Sequence, residues 1–128
     1  MPTFDAIGVI ATDLPATLSF YRLLGLDVPE GAESESHVEI PLSDGMRLLV
    51  DPVETIERFS TYEPATGGRN VGFAFRCSSP AEVDATFETV TAAGHGAKEE
   101  PFDAFWGQRY ATVLDPDGNP VDLYAELT

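Results

Sequence analysis

The chain's 128 residues suit one domain with a real core rather than two independent ones. Apolar residues at 43% and aromatics at 10% exclude intrinsic disorder. Twenty-two acidic side chains against seven basic ones give a net charge of −15, which argues against nucleic acid or an anionic membrane as partner. Two readings of that charge stay open: a solubilising surface, or steering of a cationic small molecule toward an electronegative cleft.

Taken in chain order, Met1-Pro-Thr-Phe-Asp5 lacks the basic segment and apolar core of a signal peptide, and no apolar run approaches ~18 residues. The expectation is a soluble, cytoplasmic protein. Residues 4–11 read as a strand. Asp13 then caps a helix with Pro15 in its first turn, Leu14, Leu18 and Tyr21 share a face, and Gly25 stops it. Strands follow at roughly 26–30, 36–42 and 46–51, the last two joined by Ser43-Asp-Gly45.

The segment 52–69 connects the halves. It carries a possible short helix at 53–59 and the breakers Pro64, Gly67 and Gly68, and reads as either a binding-site rim or a plain linker. In the second half 71–77 is strand-like, and the single Cys77 within it reads as a small core residue. Ser79-Pro-Ala-Glu82 is a capping box; Val83, Phe87 and Val90 form the apolar face of its helix, and Gly94 ends it. Strands recur at about 97–102, 108–114 and 120–126, with Asp115-Pro-Asp-Gly-Asn119 as the final turn. The order predicts an α+β fold of two βαβββ modules forming a curved mixed sheet: module one about 1–51, the connection 52–69, and module two about 70–128.

Strand alternation then sorts side chains by face. If Val121 and Leu123 pack under the helices, Asp122 and Tyr124 lie on the open side, together with Tyr110 and Thr112. Aligning the two Asp-Gly turns sets His37 against Tyr110, Glu39 against Thr112 and Leu49 against Asp122 in the repeat. Ala6, Gly8, Gly72 and Ala74 form a floor of small residues beneath them, although Gly72 could equally mark a close strand approach. Trp106 stands at the entrance of the last hairpin, with Gln108 nearer the open side than Arg109, and Phe59 is the aromatic offered by the first half. The predicted ligand-binding set is therefore Trp106, Tyr110, His37, Glu39, Thr112, Asp122, Tyr124, Gln108 and Phe59. For Trp106 a core or interface role is the competing reading.

Several motifs carry a resemblance. Ser19-Phe-Tyr-Arg-Leu-Leu-Gly25, Val53-Glu-Thr55, Pro64-Ala-Thr-Gly-Gly68, Trp106-Gly-Gln-Arg-Tyr-Ala111 and Asp115-Pro-Asp-Gly-Asn-Pro-Val-Asp-Leu123 together resemble the vicinal-oxygen-chelate superfamily of glyoxalases, extradiol dioxygenases and bleomycin-resistance proteins. Within it the likeness is to the mitomycin-resistance type of drug-binding protein. The Asp-Pro-Asp-Gly-Asn turn is widespread in the superfamily; Trp-Gly-Gln-Arg-Tyr and Pro-Ala-Thr-Gly-Gly are narrower. The resemblance implies a dimer whose subunits together form clefts.

Metal-binding members carry His and Glu ligands at positions that match Ala6, Leu49, Gly72 and Asp122, and only Asp122 could bind a metal. His37 lies on a neighbouring strand, and His95 sits in a helix-ending turn. No nucleophile elbow, phosphate loop or dinucleotide fingerprint is present. The expectation is thus a metal-independent binder without cofactor, a homodimer holding a planar or cationic antibiotic-like small molecule in self-resistance by sequestration. The alternative is a glyoxalase- or dioxygenase-like lyase or isomerase with an atypical metal site, or with metal-free acid–base chemistry at His37, Glu39 and Asp122. A protein-interaction module is a third reading, without positive support.

Overall fold

Residues 1–64 and 70–128 are described by the computed structural model, and the chain divides into two units, 1–64 and 65–128. The predicted Pro64-Ala-Thr-Gly-Gly68 loop falls almost wholly outside the described residues. No helix among those residues is long and apolar enough to cross a membrane.

In the first unit, β1 (Ala6–Ala11) leads into α1 (Leu14–Leu23), β2 (Val38–Pro41), β3 (Arg47–Pro52) and the single turn α2 (Val53–Ile56). The Asp13 carboxylate accepts the Ala16 amide at 3.1 Å and so supplies one of the bonds the first helical turn lacks. The sheet order is β1-β3-β2, with β1 parallel and β2 antiparallel to β3. Val9, Val38, Ile40, Leu48 and Val50 are buried, whereas Gly8, Glu39 and Pro41 are exposed, so the alternation read from sequence is realised.

One predicted strand does not form. Residues 26–30 are irregular and lead to a 3-10 turn at Ala32–Ser34. Arg22 at the end of α1 reaches across to the Glu33 carboxylate and to the Pro29 carbonyl at 3.1 Å. Gly31 turns the chain with φ 79°. The segment is thereby held against the helix that precedes it, with Val28 and Ala32 buried, instead of pairing with β2.

The second unit keeps the full pattern: β4 (Phe73–Arg76), α3 (Pro80–Ala92), β5 (Ala97–Asp103), β6 (Gln108–Leu114) and β7 (Pro120–Glu126). Its sheet order is β4-β7-β6-β5, and β4 runs parallel to β7. The Ser79 hydroxyl accepts the Glu82 amide at 3.2 Å, while the Glu82 carboxylate turns back to the Ser78 amide at 2.8 Å. This is the capping box shifted by one residue. Val83 and Val90 seat α3 on the sheet with no exposed surface, opposite the equally buried Ala111, Val113, Val121 and Leu123.

The β6–β7 turn is built around Asp115, which is 3% exposed. One carboxylate oxygen accepts the amides of Asp117 and Asn119 at 3.0 and 2.9 Å, and the other accepts the Asn119 side-chain amide at 2.8 Å. Those bonds fix the register that places Thr112 opposite Asp122 and Tyr110 opposite Tyr124.

Candidate functional site

Each sheet has a face that is not packed under a helix, and the internal repeat can be read off the registers. Glu39 pairs with Leu49 in the first unit as Thr112 pairs with Asp122 in the second. Gly8 sits opposite Leu49 as Ala74 sits opposite Asp122. The two faces nonetheless carry different chemistry.

In the second unit the face centres on Asp122, half-buried on β7. The Tyr110 hydroxyl donates to one of its oxygens and the Thr112 hydroxyl to the other, the latter at 2.7 Å. Burial, and then the Asp122 carboxylate, push the Tyr110 hydroxyl up to about 12, so it remains a donor across the physiological range. The Tyr110 ring lies 5.3 Å from that of Trp106, at an interplanar angle of 81°. Phe105 packs edge-to-face on Trp106 at 5.0 Å, and Phe102 lies 6.3 Å from Trp106 and 6.2 Å from Tyr110.

Trp106 is 49% exposed and Phe105 96%. The indole is nevertheless oriented: its N–H donates to the side-chain Oε1 of Gln108 at 2.8 Å, and the Gln108 side-chain Nε2 donates to Glu126 at 3.0 Å. A half-exposed aromatic held by a two-step polar relay is pre-organised to present a surface.

In the first unit the same face carries ions. His37, just ahead of β2, places Nδ1 2.5 Å from an Asp51 oxygen and Nε2 3.0 Å from a Glu39 oxygen. Glu39 also accepts from Arg47 at 2.7 Å, and Arg47 continues to Asp5. The Asp51 and Glu39 bonds hold the imidazolium above its ordinary value of 6.5, and His37 and Arg47 hold Glu39 below its own.

Of the residues singled out from sequence, Trp106, Gln108, Tyr110, Thr112 and Asp122 are joined by hydrogen bonds or ring contacts in one unit. Tyr124 lies on that face, opposite Tyr110. His37 and Glu39 meet each other in the other unit, where Phe59 lies beyond α2, 76% exposed. Arg109 instead binds Asp84 and Asp103, on α3 and β5. Missed from sequence were Phe102, Phe105 and Glu126 in the second unit and Asp51, Arg47 and Asp5 in the first. Strand parity offered a signal for three of them, since Arg47 and Asp51 share the face of Leu49 and Glu126 that of Asp122 and Tyr124. Gly72 is a close strand approach: a Cβ there would stand 3.2 Å from Pro120. At Gly8 a Cβ would meet nothing within 4 Å, leaving open space over β1.

The fold is α+β, built from two repeated modules. A sequence profile described as "Glyoxalase/Bleomycin resistance protein/Dioxygenase superfamily" matches residues 3–123, and the chain belongs to that superfamily. Among solved structures it resembles a family enzyme from Burkholderia phytofirmans at 20% identity and TM-score 0.80, covering 98% of this chain and 100% of that one. A solution structure of an Agrobacterium tumefaciens protein matches at 29% identity and TM-score 0.72 over 100% of both chains. A lactoylglutathione lyase from the same organism matches at 24% identity and TM-score 0.66, covering 96% of this chain and 92% of that one. The matches below 25% identity establish the fold alone. Among proteins of curated function none matches this sequence.

Some proteins of this fold bind a metal, and the donor set here does not fit one. The first unit offers Ala6 and Leu49 at the matching positions, the second Gly72 and Asp122, and both Asp122 oxygens already accept hydroxyl bonds. His37 commits its two nitrogens to two different carboxylates, one on each edge of the ring, so these three groups do not converge on a point. Among the described residues no group of three or more His, Cys, Asp or Glu could hold a metal ion.

Proposed function

We propose that the chain is a metal-independent binder of a planar, cationic small molecule, acting as a homodimer that sequesters an antibiotic-like compound. The observation that carries this reading is the oriented, half-exposed Trp106 joined through Tyr110 to the Asp122 carboxylate. Stacking on a well-placed ring contributes ~0.5–1.5 kcal/mol beyond area burial. A delocalised cation over the indole adds about 0.5–2 kcal/mol more. Glu126 and Asp122 supply the countercharge, and the chain's −15 raises the local concentration of cations.

Trp106 is the only tryptophan, so its emission reports this site alone. Titration with an acridinium dye, with a neutral ring of the same shape as control, is expected to quench it saturably for the cation. Trp106→Ala should abolish binding of the dye followed by its own fluorescence, and Asp122→Asn should weaken it about tenfold, the equivalent of roughly 1.4 kcal/mol. Equal affinity for cation and neutral control would sink the cationic reading.

The Asp51–His37 pair favours a second reading, an acid–base enzyme, because a carboxylate on Nδ1 is the usual way of orienting an imidazole base. Against it, the two carboxylates facing the ring favour its doubly protonated form, which has no lone pair to take a substrate proton. Turnover of any substrate that disappears in His37→Gln would favour the enzyme.

A further inference from the structure

Beside the ion network of the first unit lies a polar cleft of about 230 Å³. Its walls come from two segments: Ser34–Ser36 on one side, and Pro52 with Glu54, Thr55 and Arg58 on the other. His37 directly follows the first wall and Asp51 directly precedes the second. The bond between them therefore ties the walls together where both leave the sheet. A second tie lies close by, the Thr55 hydroxyl donating to the Ser36 carbonyl.

We propose that His37, held between Asp51 and Glu39, is a proton-operated clasp that sets how firmly the two walls of this cleft are joined. The chemistry follows from the ring. Only imidazolium donates from both nitrogens, whereas neutral imidazole has one N–H and one lone pair. Two carboxylates facing the two nitrogens match the charged form. On loss of a proton one nitrogen turns a lone pair toward a carboxylate. Asp51, at the shorter distance, keeps the remaining N–H; Glu39 has Arg47 as an alternative partner and lets go. The Asp51 bond then loses its cationic donor and weakens, remaining a bond from a neutral N–H to an ionised carboxylate.

The charged groups that meet the imidazole are Asp51 of β3 and Glu39 of β2. Arg47 of β3 and Asp5 ahead of β1 follow through Glu39. Glu35, Glu54 and the cationic Arg58 stand on the cleft walls, and the α2 side contributes Thr55. The clasp is closed at mildly acid pH and loosens as pH rises through the elevated His37 value. None of this depends on the ligand proposed for the second unit.

The test uses the full chain and no ligand. The His37 ring resonance, assigned by its loss in His37→Gln, is followed against pH in the wild type, Asp51→Asn and Glu39→Gln. Its midpoint is expected to fall in both carboxamide variants, further in Asp51→Asn. Amide protection over residues 32–40 and 53–57, corrected for intrinsic exchange, is expected to drop several-fold across the midpoint in the wild type and to be pH-independent in His37→Gln. A midpoint that neither variant moves would overturn the clasp. So would a protection profile with the same pH dependence in wild type and His37→Gln.

Discussion

At the residue scale, the site depends on how individual polar atoms are satisfied. Gln108 has no chemistry of its own to offer, yet it orients Trp106 by accepting from the indole and donating to Glu126. Gln108→Ala should leave the fold intact, lower the steady-state anisotropy of Trp106 and weaken dye binding severalfold; unchanged anisotropy would show that packing alone fixes the ring. Tyr110 gives a pH prediction with a definite sign. Its hydroxyl is raised from 10.0 to about 12, so the bond to Asp122 contributes fully below pH 10 and is lost as pH climbs through about 12. Ultraviolet titration should show one tyrosine ionising near that value, and Tyr110→Phe should remove it. Thr17 is the converse case: its hydroxyl is buried in α1 without a hydrogen-bond partner. Thr17→Val should therefore stabilise the chain by about 1 kcal/mol in denaturant unfolding, whereas destabilisation would reveal a bond to that oxygen.

At the element scale, the helices were the most legible part of the sequence. Asp13, Ser79, Pro15, Pro80, Gly25 and Gly94 mark ends that the structure reproduces, because caps are local chemistry. Ser79→Ala is expected to cost about 1 kcal/mol. Strand parity was equally legible: Asp122, Tyr110 and Thr112 share a face as alternation requires. Less legible was anything set by side-chain reach. Residues 26–30 alternate like a strand, but Arg22 draws them onto α1 by way of Glu33, eleven residues further on. The partner of His37 followed the same logic. The acid–base reading groups His37 with Glu39 and Asp122; His37 does meet Glu39, but its shortest contact is with Asp51, fourteen residues away on β3. That contact carries its own sign. A raised histidine value contributes stability below pH 6.5 and loses it as pH rises through the native value. The depressed Glu39 gives the opposite limb, lost as pH falls through its own lowered value. Thermal stability of His37→Gln should therefore converge on the wild type at alkaline pH and fall below it in mildly acid solution.

At the scale of the whole molecule, membership of the superfamily specifies an architecture and leaves the chemistry to a few positions. Leu49 where the second module has Asp122, with Ala6 and Gly72 at the other matching positions, removes the donors a metal would need without disturbing a single strand. The charge of −15 acts over distances of a Debye length, about 30 Å at 0.01 M salt and about 8 Å at 0.15 M. The association rate of a cationic ligand should fall steeply over that range, with dissociation nearly constant; a salt-independent rate would mean that the acidic surface serves solubility alone. The central claim is binding without metal, and it is tested most directly by calorimetric titration of chelator-treated, metal-free protein with the acridinium dye. The account predicts a saturable isotherm, one dye per site, unchanged when zinc or manganese is restored. Binding that vanishes in the metal-free protein and returns with either ion would contradict it.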